Sequence, residues 1–277
     1  MTYPDLHSTI AIYPLRYTAA DLKVVPEDEA VFFLMCGQLQ NDIVILLRQV
    51  IQARIVDSDI EPLRLAAATA GMMNIRMLAA RISEGWKLIK DRFQIIFMKT
   101  YGDTIDQTAK NDLAWLKTYF SNSNLVRQVR DNAVAHFDPK MALEGFRRLK
   151  AEEPMIDLHA REEGNTIFFS AESLMLSSLH HMVGTDEPLE ALNRIGEEVI
   201  DITRKLGNVV RAYLKAFSQR HLARHLEGLG AEKILIEGQP KLSTFTAPIY
   251  LAVPRSSGFA RRLFSGTSPS AINWFSK

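Results

Sequence analysis

The chain has 277 residues, enough for one large domain or two small ones with a substantial core. A hydrophobic fraction of 47% and a charged fraction of 23% exclude wholesale disorder. A net charge of +1 excludes a general polycation, so any attraction to nucleic acid must come from local charge.

Met1 to Tyr17 lacks the basic-then-apolar layout of a secretion signal, and the single cysteine, Cys36, allows no intramolecular disulfide. A cytoplasmic location is expected. Pro26-Glu27-Asp28-Glu29 reads as a helix start, with proline in the first turn and acids at the positive end of the dipole. The following stripe of Val31, Met35, Leu39, Ile43, Leu46 and Val50 predicts a helix over 27–55. Gln38, Gln40, Asn41 and Asp42 interrupt its apolar run, so a buried helix is expected and not a membrane span. Cys36 falls in that run, as a small core residue.

Asp57-Ser58-Asp59 breaks the pattern, and Pro62 opens a second helix reaching to Tyr101. Its core stripe is Ile75, Leu78, Ile82, Trp86, Ile89, Phe93 and Ile96, and small residues from Ala66 to Gly71 would admit a close neighbour. A shorter helix is predicted over 105–120, and Ser121 to Asn124 supply an N-cap for the next, over 124–137. Beyond Pro139 come a helix over 141–152 and two short strands, 155–161 and 165–169, joined by Glu162-Glu163-Gly164 as a small hairpin. A helix over 171–183 follows. The longest pattern, Leu192, Ile195, Val199, Ile202, Leu206, Val209 and Tyr213, starts at Pro188 and extends as far as Leu226. These elements predict an all-α, up-down bundle of four to five main helices spanning 1–238, with a small β-hairpin insertion. Residues 239–277 carry Lys241, Arg255, Arg261, Arg262 and Lys277 and no acid, and read as a basic tail.

The chemically pointed segment is Arg130-Asp131-Asn132-Ala133-Val134-Ala135-His136. On a helical wheel with Leu125 at the origin, Val129, Ala133, Val126 and Phe137 span an arc of about 120°. Asn132 and His136 share one edge of that arc, and Arg130 lies just past the other, at about 140°. If the stripe packs on a partner, an imidazole and a guanidinium stand at the rim of a groove. Phe137-Asp138-Pro139 ends the helix, and a histidine in the last turn sits at the negative end of the dipole, beside Asp138. Such a group suits proton transfer near neutral pH.

The phrase RDNAVAHFDP, after one long and one short helix, resembles the arginine–histidine motif of HEPN domains, closest in look to the abortive-infection U-type branch. The resemblance implies a homodimeric endoribonuclease of a toxin or phage-defence system that needs no metal or other cofactor. In it His136 would move a proton at the ribose 2′-hydroxyl or the leaving oxygen, and Arg130 would stabilise charge on the scissile phosphate. The polar residue after the arginine is Asp131 where active members often carry asparagine, so Asp131 and Asn132 both stand as supporting residues. Glu84, on the second long helix, could orient Arg130 or His136, or pair locally with Arg81. Arg127, Lys140, Arg147 and Arg148 are the candidate RNA-binding cations. The alternative is a non-catalytic dimeric module of the same ancestry, binding an antitoxin, another protein or RNA, and no membrane.

His221 and His225, one turn apart, are a weak zinc signal without a third ligand, and read as part of a basic, exposed helix end. No phosphate-binding glycine loop, CxxC pair or GxSxG elbow is present.

Overall fold

The structure is a computed structural model that describes residues 7–54, 59–92, 96, 98–133, 139–152, 155–160, 165–179, 183–185, 188–230 and 232–240. Strand β1 (His7–Ile12) and the short α1 (Ala19–Lys23) lead into α2 (Glu27–Arg54) and α3 (Glu61–Arg92). Then come α4 (Lys99–Tyr101), α5 (Gln107–Ser121), α6 (Leu125–Ala133), α7 (Pro139–Arg148), α8 (Phe169–Leu179), α9 (Pro188–His221), α10 (Ala223–Glu227) and β2 (Ile234–Pro240). The fold is all-α. Helices α2, α3, α5 and α9 form the main bundle, α6 lies on α3, and α7 and α8 pack as a pair beside α3 and α9.

The apolar stripes set this arrangement. On α3, Ile75, Leu78, Ile82, Trp86 and Ile89 are buried, as is Ile96 beyond the helix, and Phe93 lies outside the described residues. On α9 the stripe from Ile195 to Tyr213 is buried and Leu192 is partly so. The small residues do admit a close neighbour: a methyl added at Gly71 would sit 3.4 Å from the Ala53 side chain of α2. On α2 the buried face differs from the expected one near its start. Phe32, Phe33 and Cys36 point inward, and Val31 and Met35 are exposed. The aromatics decide this, because Phe33 stacks on Phe217 with ring centres 4.0 Å apart, and Phe32 lies against Tyr213 at 4.8 Å. Burial also pushes the Cys36 thiol well above its ordinary range, which makes it an inert core residue. Among the described residues α2 is the one helix long and apolar enough to cross a membrane, and 33% of its most apolar window is buried inside the fold.

The remaining elements depart from expectation in part. Of the second long helix, α3 is described to Arg92, Ile96 and Met98 are helical and α4 runs to Tyr101, with residues 93–95 and 97 outside the described set. The segments of the hairpin expected near 155–169 do pair antiparallel, among the described residues through one bridge, Leu158 to Ile167, and its turn at 161–164 is not described. The two-stranded sheet lies elsewhere. β1 and β2 pair antiparallel, with Ile12 opposite Ile234 and His7 opposite Pro240, so the boundary expected at residue 238 falls inside a strand. Residues 241–277, the basic tail, lie outside the described residues. Finally, the last long helix breaks at Leu222, whose backbone leaves the helical region (φ −115°, ψ 19°) while its side chain is fully buried.

Polar contacts tie the layers together. Arg76 on α3 makes a two-pronged pair with Glu172 on α8 at 2.5 and 2.8 Å, largely out of water. Ser177 donates to the Gly145 carbonyl at 2.9 Å, and a methyl at Gly145 would strike the Ser178 hydroxyl, so glycine is what lets α7 approach α8. The break at Leu222 turns Arg224 and His225 onto Asp21 of α1, with His225 Nε2 at 3.3 Å. Thr18 donates to the same carboxylate from its backbone at 2.7 Å and its hydroxyl at 2.8 Å. These hydrogen bonds, Thr18's backbone first, hold the Asp21 carboxyl well below the ordinary carboxylate range. A depressed folded-state value means that the contribution is full at neutral pH and fades as pH falls below about 4. Asp21→Asn is therefore expected to narrow the gap between urea midpoints measured at pH 7 and pH 3. An unchanged gap would mean that Asp21 contributes nothing to acid sensitivity.

Candidate functional site

The site begins with how α6 is made. Asn124 is buried and its side-chain oxygen accepts from the Arg127 backbone N–H at 2.9 Å, the N-cap that the sequence offered. Leu125, Val126 and Val129 are buried and fasten the apolar stripe of α6 against the bundle. At the helix start the Val126 backbone N–H reaches the Tyr119 hydroxyl at 3.3 Å, and Tyr119 donates to Glu198 of α9. Burial first, and then the Glu198 bond, push the Tyr119 hydroxyl up, so it stays protonated at any physiological pH.

With that stripe fixed, Arg130 emerges over α3. Its Nε donates to Asp131 at 2.7 Å, and one terminal nitrogen donates to the Ser83 hydroxyl at 3.3 Å and the Glu84 carboxylate at 3.2 Å. The other terminal nitrogen also donates to Asp131. The guanidinium is thus held between two carboxylates of its own chain. Glu84 accepts in addition from Lys87 at 2.8 Å. The Lys87 bond above all, together with the charges of Lys87 and Arg130, holds the Glu84 carboxyl below its ordinary value, so it is ionised at neutral pH.

The structure therefore brings Glu84, Asp131 and Arg130 together. Of the two uses considered for Glu84, it adopts the cross-bundle one: Arg81 turns instead toward Asp42 at 3.4 Å. His136 lies outside the described residues, as do residues 134–138 as a whole; Asn132 is in α6 but its side chain is not described. Among the candidate RNA-binding cations, Arg127 is exposed on α6, Lys140 is exposed at the start of α7, and Arg147 and Arg148 are exposed at its end.

Two groupings escaped the sequence reading. The first is a cavity of about 600 Å³ between α3, α5 and α6, at whose mouth Lys87, Lys90, Lys117 and Arg127 converge from three helices. Lys87 and Lys90 are local, but nothing in the sequence signals their meeting with Lys117 and Arg127. The second joins α2, α4 and α9. Tyr101 donates to the buried Glu29 carboxylate, and His221 Nε2 lies 2.9 Å from the same oxygen and 3.1 Å from the Tyr101 hydroxyl. The Tyr213 hydroxyl donates to the Glu29 carbonyl at 3.2 Å. The basic, exposed helix end expected for His221 and His225 is corrected by these partners, because each imidazole is engaged with a different carboxylate. Among the described residues no group of three or more His, Cys, Asp or Glu side chains is placed to hold a metal ion.

Compared with protein-family models, with curated proteins and with solved structures, the chain finds no match.

Proposed function

We propose that this chain is a HEPN-like, metal-independent endoribonuclease that acts as a homodimer in a toxin or phage-defence setting in the cytoplasm. The observation that carries the reading is the seat of Arg130, fixed on a short capped helix, flanked by exposed cations and backed by Glu84 from the neighbouring long helix. In this reading the ribose 2′-oxygen attacks phosphorus and the bond to the 5′-oxygen breaks, leaving a cyclic phosphate. The proton lost by the 2′-hydroxyl and the proton gained by the leaving oxygen pass through His136, and Arg130 stabilises the charge that gathers on the phosphate. A second copy would complete the groove. The apolar Leu143 and Phe146, exposed on α7 directly after the motif, offer a surface for it.

One observation favours the second reading, a non-catalytic dimeric module that binds an antitoxin, another protein or RNA. The Arg130 guanidinium is already satisfied by Asp131 and Glu84, and a phosphate would have to displace at least one of them. Incubating the full chain with RNA in chelator separates the two. Cleavage that falls by about 10²–10⁴-fold in His136→Ala supports the nuclease. No cleavage by either protein, or equal cleavage by both, removes it; RNA binding retained in His136→Ala then favours the module.

A further inference from the structure

The cavity between α3, α5 and α6 carries more than its neighbourhood to Arg130. Trp86, Ile89, Leu113 and Phe120 are buried and the four cations around them are exposed, so the apolar groups form the floor and the charges form the mouth. The floor is firm: Trp86 and Phe120 stack on each other with ring centres 5.0 Å apart and planes 11° from parallel. Among the described residues the lining holds one acid, Asp91, against the four cations. Lys87 already pairs with Glu84 beside the mouth at 2.8 Å, so the attraction for an anion is the positive charge that the four cations leave over Asp91 and Glu84.

The floor says what the rest of the ligand is. Apart from the charged groups the described lining offers the Trp86 indole N–H and the Ser121 hydroxyl, which already donates to the Thr118 carbonyl at 2.8 Å. Backbone groups of helix interiors are already bonded to one another. A sugar or a nucleobase placed there would lose its hydrogen bonds to water and regain few. A hydrocarbon body loses none and removes apolar surface from water. The volume lies within the range of about 300–1,000 Å³ that suits a small organic molecule. From this we propose that the cleft binds an amphipathic organic anion, a free medium-chain fatty acid, with its carboxylate among Lys87, Lys90, Lys117 and Arg127 and its chain on the Trp86–Phe120 floor.

The site goes beyond the ribonuclease reading and does not depend on it: Arg130, Asp131 and Glu84 do not line it, and Arg127 is the one candidate RNA-binding cation that does. The test titrates the full chain with decanoate at neutral pH, read by calorimetry and by tryptophan fluorescence. Binding at a Kd of about 1 mM or tighter is expected, with decanol and acetate each weaker by about tenfold or more. Lys90→Glu and Arg127→Glu are each expected to weaken decanoate by about tenfold, the loss of one charge-assisted contact, with unchanged melting temperatures. Trp86→Phe should abolish the fluorescence change and keep the calorimetric heat, which ties the signal to this floor. Arg130→Ala should bind decanoate as the unaltered chain does, whatever happens to RNA. The proposal is overturned by no heat with decanoate, by decanol binding equally well, by adenosine monophosphate or inorganic phosphate binding as tightly, or by both charge reversals leaving the affinity unchanged.

Discussion

Arg130→Ala is expected to lower RNA cleavage by about 10²–10³-fold, the usual cost of losing one donor aimed at transition-state charge. The fold should barely notice. Arg130 holds a half-exposed Glu84 that keeps Lys87 as a partner, and ion pairs of this exposure contribute about 0–1 kcal/mol. A melting temperature close to that of the unaltered chain would then show that the lost activity is chemical. The companion substitution runs the other way. Asp131→Asn keeps the shape but removes the charge that holds two nitrogens of the guanidinium, so a phosphate competes with one carboxylate and not two. A several-fold rise in cleavage or in RNA affinity is expected. If Asp131→Asn lowers both, Asp131 supports the site and does not restrain it.

Phe217→Ala should be the most damaging single change to stability, at about 3–5 kcal/mol measured from urea unfolding. The ring is fully buried and stacks on Phe33 at 4.0 Å, with Tyr213 and His221 also against it. It is where α2 and α9 meet, and the truncation leaves a cavity lined by aromatics that cannot collapse without moving two long helices. Since whole domains have only about 5–15 kcal/mol in hand, this loss is a large share. A cost below about 1 kcal/mol would show that this junction is loosely packed. A double cycle with Phe33→Ala should return a coupling of about 0.5–1.5 kcal/mol, the part owed to the ring pair itself.

What the sequence made legible follows from the range of the forces involved. Helix periodicity is local, so α3 and α9 could be read from the stripes beginning at Ile75 and Ile195, and the cap of α6 from Asn124. The inward face of α2 was harder, because Val31 and Met35 fit the same period as Phe32 and Cys36, and the choice is made by Tyr213 and Phe217 far along the chain. The cross-bundle contact of Glu84 with Arg130 spans 46 positions, and local spacing offered Arg81 equally well. The Glu29–Tyr101–His221 cluster was out of reach for the same reason: its three members stand on three elements, and each alone looks like an ordinary helix-end residue.

The sheet of β1 and β2 has a consequence in time. Its first strand is synthesised before every helix of the bundle, and its partner follows roughly 220 residues later. At about 5–20 residues per second the ribosome needs on the order of 10–45 s to deliver it. Throughout that interval the bundle helices can assemble from neighbours already made, while Ile10 and Ile12 wait on an open strand edge. The strand pairing thus comes after the bundle is made, and a nascent chain stalled before Ile234 would carry its helices together with an unsatisfied, sticky edge.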